Sequence, residues 1–223
     1  MMIITIDGPA AAGKGTLAAT LAAKYELAYF DTGMVYRAVG LEMRQQNLDR
    51  NNEGQAECIA KQLTFPKMME LSKNPEFRSS EGGVAASVVS AHPKVRQALL
   101  KMQQDFALNP VFADGKPAKG AIYDGRDTGT VVCPNADVKF FITASTEVRA
   151  KRRFAELQAK GSEISFDKVL EDMKARDERD ANRSTAPMKP AEDAVIFDTS
   201  LLTIPEVVIK AEEIIENKLK KTL

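Results

Sequence analysis

The chain has 223 residues, of which 44% are hydrophobic and 28% are charged, and these proportions exclude a disordered chain. Lys and Arg number 31, as do Asp and Glu, so no overall charge indicates nucleic acid or an anionic membrane as a partner. Without a membrane-spanning apolar run, and with only Cys58 and Cys133 as cysteines, we expect a single-domain, monomeric, cytoplasmic protein without a disulfide framework.

The first informative stretch, residues 3–16, places a glycine-bounded loop between a strand and a helix. Its three isoleucines suit a strand that is buried on both faces. The loop then runs from Gly8 to Gly13, and Lys14 opens the helix, so that backbone N–H groups and the helix N-terminus face one space. This spacing matches the P-loop, in which the lysine reaches the terminal phosphates of a nucleotide.

The end of this loop departs from the general pattern. The Ser or Thr that usually follows the lysine is Gly15, and Thr16 comes one place later, which leaves the magnesium contact of that hydroxyl open. A glycine-rich turn that serves packing alone is the alternative interpretation. The residues predicted to surround the phosphates are Gly8, Pro9, Ala10, Ala11, Ala12, Gly13, Lys14, Gly15 and Thr16.

A second strand is predicted at residues 27–30, and it ends in a polar loop that begins at Asp31. In a doubly wound sheet, ligands gather at the carboxyl ends of parallel strands. We therefore expect Thr32, Tyr36 and Arg37 to lie in the same crevice as the P-loop.

The pattern weakens between residues 47 and 90, where polar residues and turn formers predict an inserted, mobile segment with few regular elements. Pro93 then begins a helix with a clear apolar stripe. Arg96 lies off that stripe, which favours a solvent-exposed charge. His92, the one histidine, has no supporting constellation and is interpreted as structural.

Another glycine-bearing polar loop, residues 124–130, follows a short strand at 121–123. Asp124 directly after a buried strand is typical of a carboxylate that reaches magnesium or its water shell, although an Asp-Gly turn is the alternative. Arg126 and Asp127 add one fork of donors and one acceptor.

The C-terminal half carries two charged helices. The first, predicted over residues 146–160 after a strand at 138–142, bears Arg149 and Arg153 and is either a phosphate-facing lid or a solvated basic face. In the second, one helical face presents two guanidinium groups around a carboxylate, or else forms an ordinary salt-bridged surface. The residues on that face are Arg176, Asp180 and Arg183. A last strand is predicted at 194–197.

Strands that alternate with helices, with a P-loop after the first strand, predict an α/β, three-layer P-loop kinase fold around a central parallel sheet. The guanine-reading Asn-Lys-x-Asp pattern of GTPases is absent from the sequence, and a motor or transporter ATPase usually needs a longer chain. A small-molecule kinase remains, and arginine forks that converge from several elements favour a phosphate as the acceptor. Those arginines are Arg37, Arg126, Arg176 and Arg183.

Four blocks of sequence together resemble the bacterial cytidylate kinases. In order along the chain, the blocks are residues 8–16, 31–37, 124–132 and 176–183. The resemblance implies transfer of the ATP γ-phosphoryl group to CMP or dCMP, with magnesium. It also implies one kinase domain over residues 1–223, with an inserted acceptor-binding segment at 38–95 and a lid at 150–183. The stretch between Arg37 and Ser87 is shorter than usual for that family, and residues 109–121 form a longer one.

The resemblance also implies a role for each matched residue. Lys14, Arg126 and Arg183 would be the catalytic set. Arg37, Arg126 and Arg183 would hold the acceptor phosphate. Ser87, Arg96 and Asp127 would read the cytosine edge. Arg176 and Asp180 would address the sugar, with Thr32, Tyr36 and Asp124 in the acceptor pocket. Arg149 and Arg153 would close over ATP.

Two other classes stay open at this point. A kinase of another small acceptor, such as shikimate or dephospho-coenzyme A, would share the P-loop but would have little use for Arg96 and Asp127 together. A regulatory nucleotide-binding module without turnover is the alternative that is not an enzyme.

Overall fold

A computed structural model describes residues 1–159 and 161–222. Over this range the chain forms a five-stranded sheet in which every neighbouring pair of strands is parallel. The strands are β1 (Met2–Asp7), β2 (Ala28–Asp31), β3 (Gly120–Gly125), β4 (Val138–Thr143) and β5 (Val195–Asp198), in the spatial order β2-β3-β1-β4-β5. The strand that leads into the P-loop is therefore central, between β3 and β4.

Helices connect the strands. They are α1 (Lys14–Tyr25), α2 (Gly33–Gln45), α3 (Glu53–Gln62), α4 (Phe65–Leu71), α5 (Ser80–Val89), α6 (Pro93–Leu108), α7 (Thr146–Ala159), α8 (Phe166–Asn182) and α9 (Ile204–Thr222). A 3₁₀ turn covers Pro75–Arg78, and a π-helical turn covers Thr128–Val132. Among the helices of residues 1–159 and 161–222, none combines the length and the apolar character that crossing a membrane would require.

Each face of the sheet buries its own apolar core, which confirms the predicted α/β fold with a central parallel sheet. On one face, Ile4 and Ile6 of β1 pack with α1 and α9. On the other face, Phe30 and Tyr123 pack with α6, where the rings of Phe30 and Phe106 lie 4.7 Å apart. Alternate residues of β1 serve the two cores because side chains in a strand point to opposite faces.

The segment between residues 47 and 90 contains three helices and a 3₁₀ turn, so the expectation of few regular elements was wrong. Several of its polar residues are helix caps. The Asn52 side chain accepts a hydrogen bond from Gln55 N at 3.1 Å, and Ser79 accepts one from Gly82 N at 3.0 Å. Such residues satisfy the free N–H groups of a first helical turn. Because the same residue types are common in turns, the segment resembles a loop in the sequence. Phe77, which is fully buried, anchors the segment in the core.

The other predicted elements agree with the structure to within a few residues. The helix predicted over residues 146–160 is α7, although Lys160 lies outside the described residues. His92 precedes α6, and its Nε2 atom lies 2.9 Å from Arg50 O, which fits its structural interpretation. Helices α7 and α8 pack on each other through a small separate core that includes Phe154 and Phe166, whose rings are 5.8 Å apart.

Candidate active site

A cleft of about 500 Å³ opens at the carboxyl edge of the sheet, between the loops that follow β1, β2 and β3 and the helices α5 and α8. Most residues predicted for the site line it. They are Ala10, Ala11, Gly13, Lys14, Gly15, Thr16, Thr32, Tyr36, Arg37, Ser87, Arg96, Asp124, Arg126, Asp127, Arg153, Arg176, Asp180 and Arg183. Gly8, Pro9, Ala12 and Arg149 are not part of this lining.

The loop after β1 has the backbone that its glycines predict. Gly8 has a φ of 141°, and a Cβ atom there would lie 1.9 Å from Ile142 O, so no larger residue fits. Gly13 has a φ of 95° and stands directly before α1. The loop thus turns tightly against β4 and delivers the N-terminus of α1 to the cleft, which is the arrangement that binds phosphate groups.

Lys14 is buried at the base of this loop, with 5% of its side chain exposed. Its Nζ atom donates a hydrogen bond to Pro9 O at 2.8 Å and lies 3.7 Å from Asp124 Oδ1. Burial, aided by the nearby Arg126, lowers the pKa of Lys14 to about 8. The ammonium group therefore stands at the junction of the P-loop and the end of β3.

Asp124 forms the β3 side of this junction. A Cβ atom on Gly15 would lie 3.3 Å from Asp124 Oδ2, so the carboxylate packs on the first turn of α1. Tyr29 donates a hydrogen bond to the same oxygen at 3.3 Å. Asp31 pairs with Asp124 in the β2-β3 register, and burial together with the Asp124 charge raises the pKa of Asp31.

Further along the cleft, Asp127 joins two arginines that are distant in sequence, one in α6 and one directly after α8. Its Oδ2 atom lies 2.5 Å from Arg96 NH2, and its Oδ1 atom lies 3.4 Å from Arg183 NH2. The Arg96 guanidinium also stacks over Tyr36, 5.2 Å from the ring centroid. Arg96 is only 6% exposed, so the expectation of a solvent-facing charge was wrong. Such partners offset the free-energy cost of removing a carboxylate from water.

A second carboxylate, Asp180, organises the arginines on the other side of the cleft. Arg126 Nε lies 3.1 Å from Asp180 Oδ2, and Arg176 Nε lies 3.9 Å from it. Burial acts to raise the pKa of Asp180, but Arg126, Arg176 and Arg183 outweigh it and hold the pKa below its usual value. Arg183 follows α8 and pairs with Asp127, so the expected face around one carboxylate is shared between two.

The remaining acceptor-side residues contact the 3₁₀ turn and α5. Arg37 NH1 donates a hydrogen bond to Phe77 O at 2.8 Å. Ser87 is 3% exposed, and its hydroxyl accepts a hydrogen bond from Arg179 Nε at 3.2 Å. Sequence reasoning missed Arg179, which lines the cleft, although its position three residues after Arg176 on one helix predicts a shared face.

The two arginines that were expected to close over ATP have different surroundings. Arg149 is 3% exposed and donates two hydrogen bonds to Asp177 of α8, at 2.6 and 3.2 Å, and one to Ala10 O at 3.3 Å. It therefore ties α7 to α8 and to the P-loop backbone. Arg153 lines the cleft, where its NH1 atom donates to Glu156 at 2.8 Å.

Comparison with known proteins bears on this arrangement. The model of the cytidylate kinase family matches residues 4–217. A cytidylate kinase of Rhodopseudomonas palustris is 49% identical over 215 residues, which cover 96% of each chain. One of Rhodospirillum rubrum is 48% identical over 221 residues, which cover 99% of this chain and all of the relative. The chain belongs to the cytidylate kinase family.

The resemblance that the four sequence blocks carried is thus confirmed, and the chain is a kinase. Among solved structures, an uncharacterized protein from Eubacterium ventriosum matches with a TM-score of 0.52 at 12% identity, covering 97% of this chain and 99% of that one. This likeness supports the fold alone. In this cytidylate kinase family member, the roles of the individual cleft residues stay predictions.

Proposed function

We propose that this chain transfers the γ-phosphoryl group of ATP to CMP or dCMP, giving ADP and CDP or dCDP. Besides the family, one observation carries the proposal. The same cleft of about 500 Å³ contains a P-loop with its buried lysine at one end and a buried carboxylate held by two arginines at the other. A cleft that contains phosphate-binding groups and a carboxylate paired with arginines fits phosphoryl transfer between two nucleotides.

On the donor side, the N–H groups of residues 8–16 and the N-terminus of α1 would hold the ATP phosphates. Lys14 would turn from Pro9 O to the terminal phosphates, since its ammonium already lies between the P-loop and the end of β3. Magnesium fits here because Asp124 supplies a hard oxygen beside Gly15, in the first turn of α1. When bound, the ion would neutralise charge on the β- and γ-phosphates.

On the acceptor side, Arg37, Arg126 and Arg183 would bind the monophosphate, and Arg176 and Asp180 would address the sugar. Asp127, fixed by Arg96, would accept a hydrogen bond from the cytosine amino group. Uracil presents a carbonyl oxygen at that place, and two facing acceptors repel each other, so UMP would be disfavoured. Ser87 would contact the base from α5 within the proposed acceptor-binding segment, residues 38–95.

In the transfer, an oxygen of the acceptor phosphate forms a bond to the γ-phosphorus while the bond to the β–γ bridging oxygen breaks. ADP leaves with that electron pair. The acceptor phosphate is already an anion near neutral pH, so the protein supplies alignment and positive charge more than acid or base. Residues 150–183, which include most of α7 and all of α8, would act as the lid that excludes water.

The test is a coupled assay of ADP release with ATP and magnesium, in which CMP, dCMP, UMP, AMP and GMP are offered separately. A reaction without an acceptor measures ATP hydrolysis. We expect strong release with CMP and dCMP. Release with another monophosphate alone, or with none, would overturn the proposed acceptor. Location in the cytoplasm and the monomeric state stay predictions of the sequence.

A further inference from the structure

Asp7, the last residue of β1, contacts the loop after β3, which carries Arg126 and Asp127. Its carboxylate, 4% exposed, accepts three hydrogen bonds from two residues that follow β3. Thr128 donates to Oδ1 through its backbone N at 2.8 Å and through its hydroxyl at 2.9 Å. Gly129 N donates to Oδ2 at 2.7 Å. Both carboxylate oxygens thus accept hydrogen bonds from two consecutive residues, Thr128 and Gly129.

That backbone is the first turn of the π-helical segment Thr128–Val132. The first N–H groups of a helical turn lack partners within it. Asp127 stands directly before the turn and makes no side-chain cap, so Asp7 supplies the missing acceptors from another strand. The packing is close as well, because a Cβ atom on Gly129 would lie 2.8 Å from Thr5 Oγ1. The direction in which the Asp127 side chain points therefore depends on the hydrogen bonds that Asp7 accepts from this turn.

The negative charge of Asp7 is disfavoured where it lies. Burial raises the pKa of Asp7 to about 6, even though its hydrogen bonds to Gly129 and Thr128 act in the opposite direction. The folded chain thus disfavours the ionised form relative to the unfolded chain. Groups kept under such a penalty concentrate at functional sites.

We propose that Asp7 is a positioning residue for the acceptor nucleotide, which it serves by fixing the backbone that carries Arg126 and Asp127. This inference rests on the proposed function. Asp7 does not line the cleft itself. It lies one residue before Gly8, so its carboxylate connects β1, the strand that leads into the P-loop, with the loop after β3 that would bind the acceptor.

The decisive variant is Asp7→Asn, which keeps the shape but turns one acceptor into a donor that faces an N–H group. We expect the KM for CMP to rise about tenfold or more, since hydrogen bonds to charged groups are the strong ones. The KM for ATP is expected to stay within about twofold. Thr5→Val is the matched control, because the buried Thr5 hydroxyl makes no hydrogen bond with any described residue. It should leave both KM values unchanged.

Thr128→Val provides a milder version of the same change, because it removes only the hydroxyl bond to Asp7. We expect the KM for CMP to rise about twofold to tenfold. Combining it with Asp7→Asn should raise the KM by less than the product of the single effects, because both changes act on one contact. If Asp7→Asn does not fold, Thr128→Val and calorimetric binding of CMP decide the question.

A pH profile separates positioning from mere structure. Protonation of Asp7 below about pH 6 would remove an acceptor in the wild type, whereas Asp7→Asn has nothing to lose there. The ratio of kcat/KM for CMP, variant over wild type, should therefore rise as the pH falls. Titration of CMP cancels in this ratio. The charged or titratable groups around Asp7 are Lys14, Asp127, Cys133 and Lys139, and all four remain in the variant.

The outcomes are distinguishable from failure of the proposed function. An active wild type with an unchanged KM for CMP in folded Asp7→Asn overturns this inference alone. A fall in melting temperature with equal changes in both KM values also overturns it, since that is the signature of a structural role. A wild type that phosphorylates no monophosphate overturns the proposed function and this inference together.

Discussion

The two ends of the cleft are built in different ways. The donor end is a single stretch of nine residues, 8–16, whose geometry depends on backbone and on glycine. The acceptor end depends on side chains that are far apart in sequence. The Arg96–Asp127 pair spans 31 residues, and the Arg183–Asp127 pair spans 56. Damage at the donor end should therefore affect the rate with any acceptor, whereas damage at the acceptor end should affect the choice of acceptor.

The largest expected effect belongs to the donor end. Lys14→Ala removes the charge that the P-loop aims at the terminal phosphates, so we expect kcat to fall about 10²–10³-fold with CMP and dCMP alike. The fold should persist, since burial lowers the pKa of Lys14 and therefore disfavours its charge in the folded chain. Steady-state kinetics and a thermal melt measure the two quantities. An active, well-folded Lys14→Ala variant would contradict the role of this lysine.

At the acceptor end, Asp127→Ala should erode the choice of base. It removes the carboxylate that would accept from the cytosine amino group, and we expect the kcat/KM ratio of CMP over UMP to fall about tenfold to a hundredfold. Arg96 and Arg183 would then be buried without this partner, so the free energy of unfolding should also fall, by about 3–5 kcal/mol.

Asp127→Asn separates these two consequences. Its size matches that of Asp127, so it fills the same space between Arg96 and Arg183. We expect part of the stability to return while the preference for CMP stays low, because an amide presents only one acceptor. An unchanged ratio of kcat/KM for CMP and UMP in both variants would remove Asp127 from base recognition.

The same difference between the two ends explains what the sequence could predict. The P-loop was readable because Gly8, Gly13 and Lys14 act locally, through φ angles and a helix start. The partners of Asp127 were not readable, because nothing local in a helix tells a buried arginine such as Arg96 from an exposed one. Burial there is decided by α6 meeting the loop after β3. Family resemblance, not periodicity, assigned these residues to the acceptor.

Two further features escaped for physical reasons. Residues 47–90 were expected to have few regular elements because their N-caps resemble turns, whereas tertiary packing around Phe77 stabilises short helices there. The contacts of Asp7 were not predicted, because a carboxylate at the end of a buried strand does not indicate its partners in the sequence. Its three donors are more than 120 residues away.

A pH profile probes the donor end with a smaller effect. Burial lowers the pKa of Lys14 to about 8, so its positive charge is lost as the pH rises through that value, well below the 10.5 of an ordinary lysine. We expect kcat/KM for ATP to fall about tenfold per pH unit above about 8. Lys14→Arg retains its charge and should show no such fall, whatever its absolute rate. A wild-type profile that stays flat to pH 10 would contradict this prediction.

The smallest effect is expected from Arg179, which joins α8 to α5 at the acceptor end. Its side chain is largely exposed, and one hydrogen bond of 3.2 Å holds the Ser87 hydroxyl. Arg179→Ala should raise the KM for CMP about twofold to tenfold, the range of one hydrogen bond, and leave the KM for ATP unchanged. Lys174→Ala is a suitable control, because Lys174 is an exposed cation of α8 that does not line the cleft. Equal effects of the two substitutions would mean that only general charge matters. An effect confined to Arg179→Ala would show that this side chain, which lines the cleft and donates to Ser87, contributes to the binding of CMP.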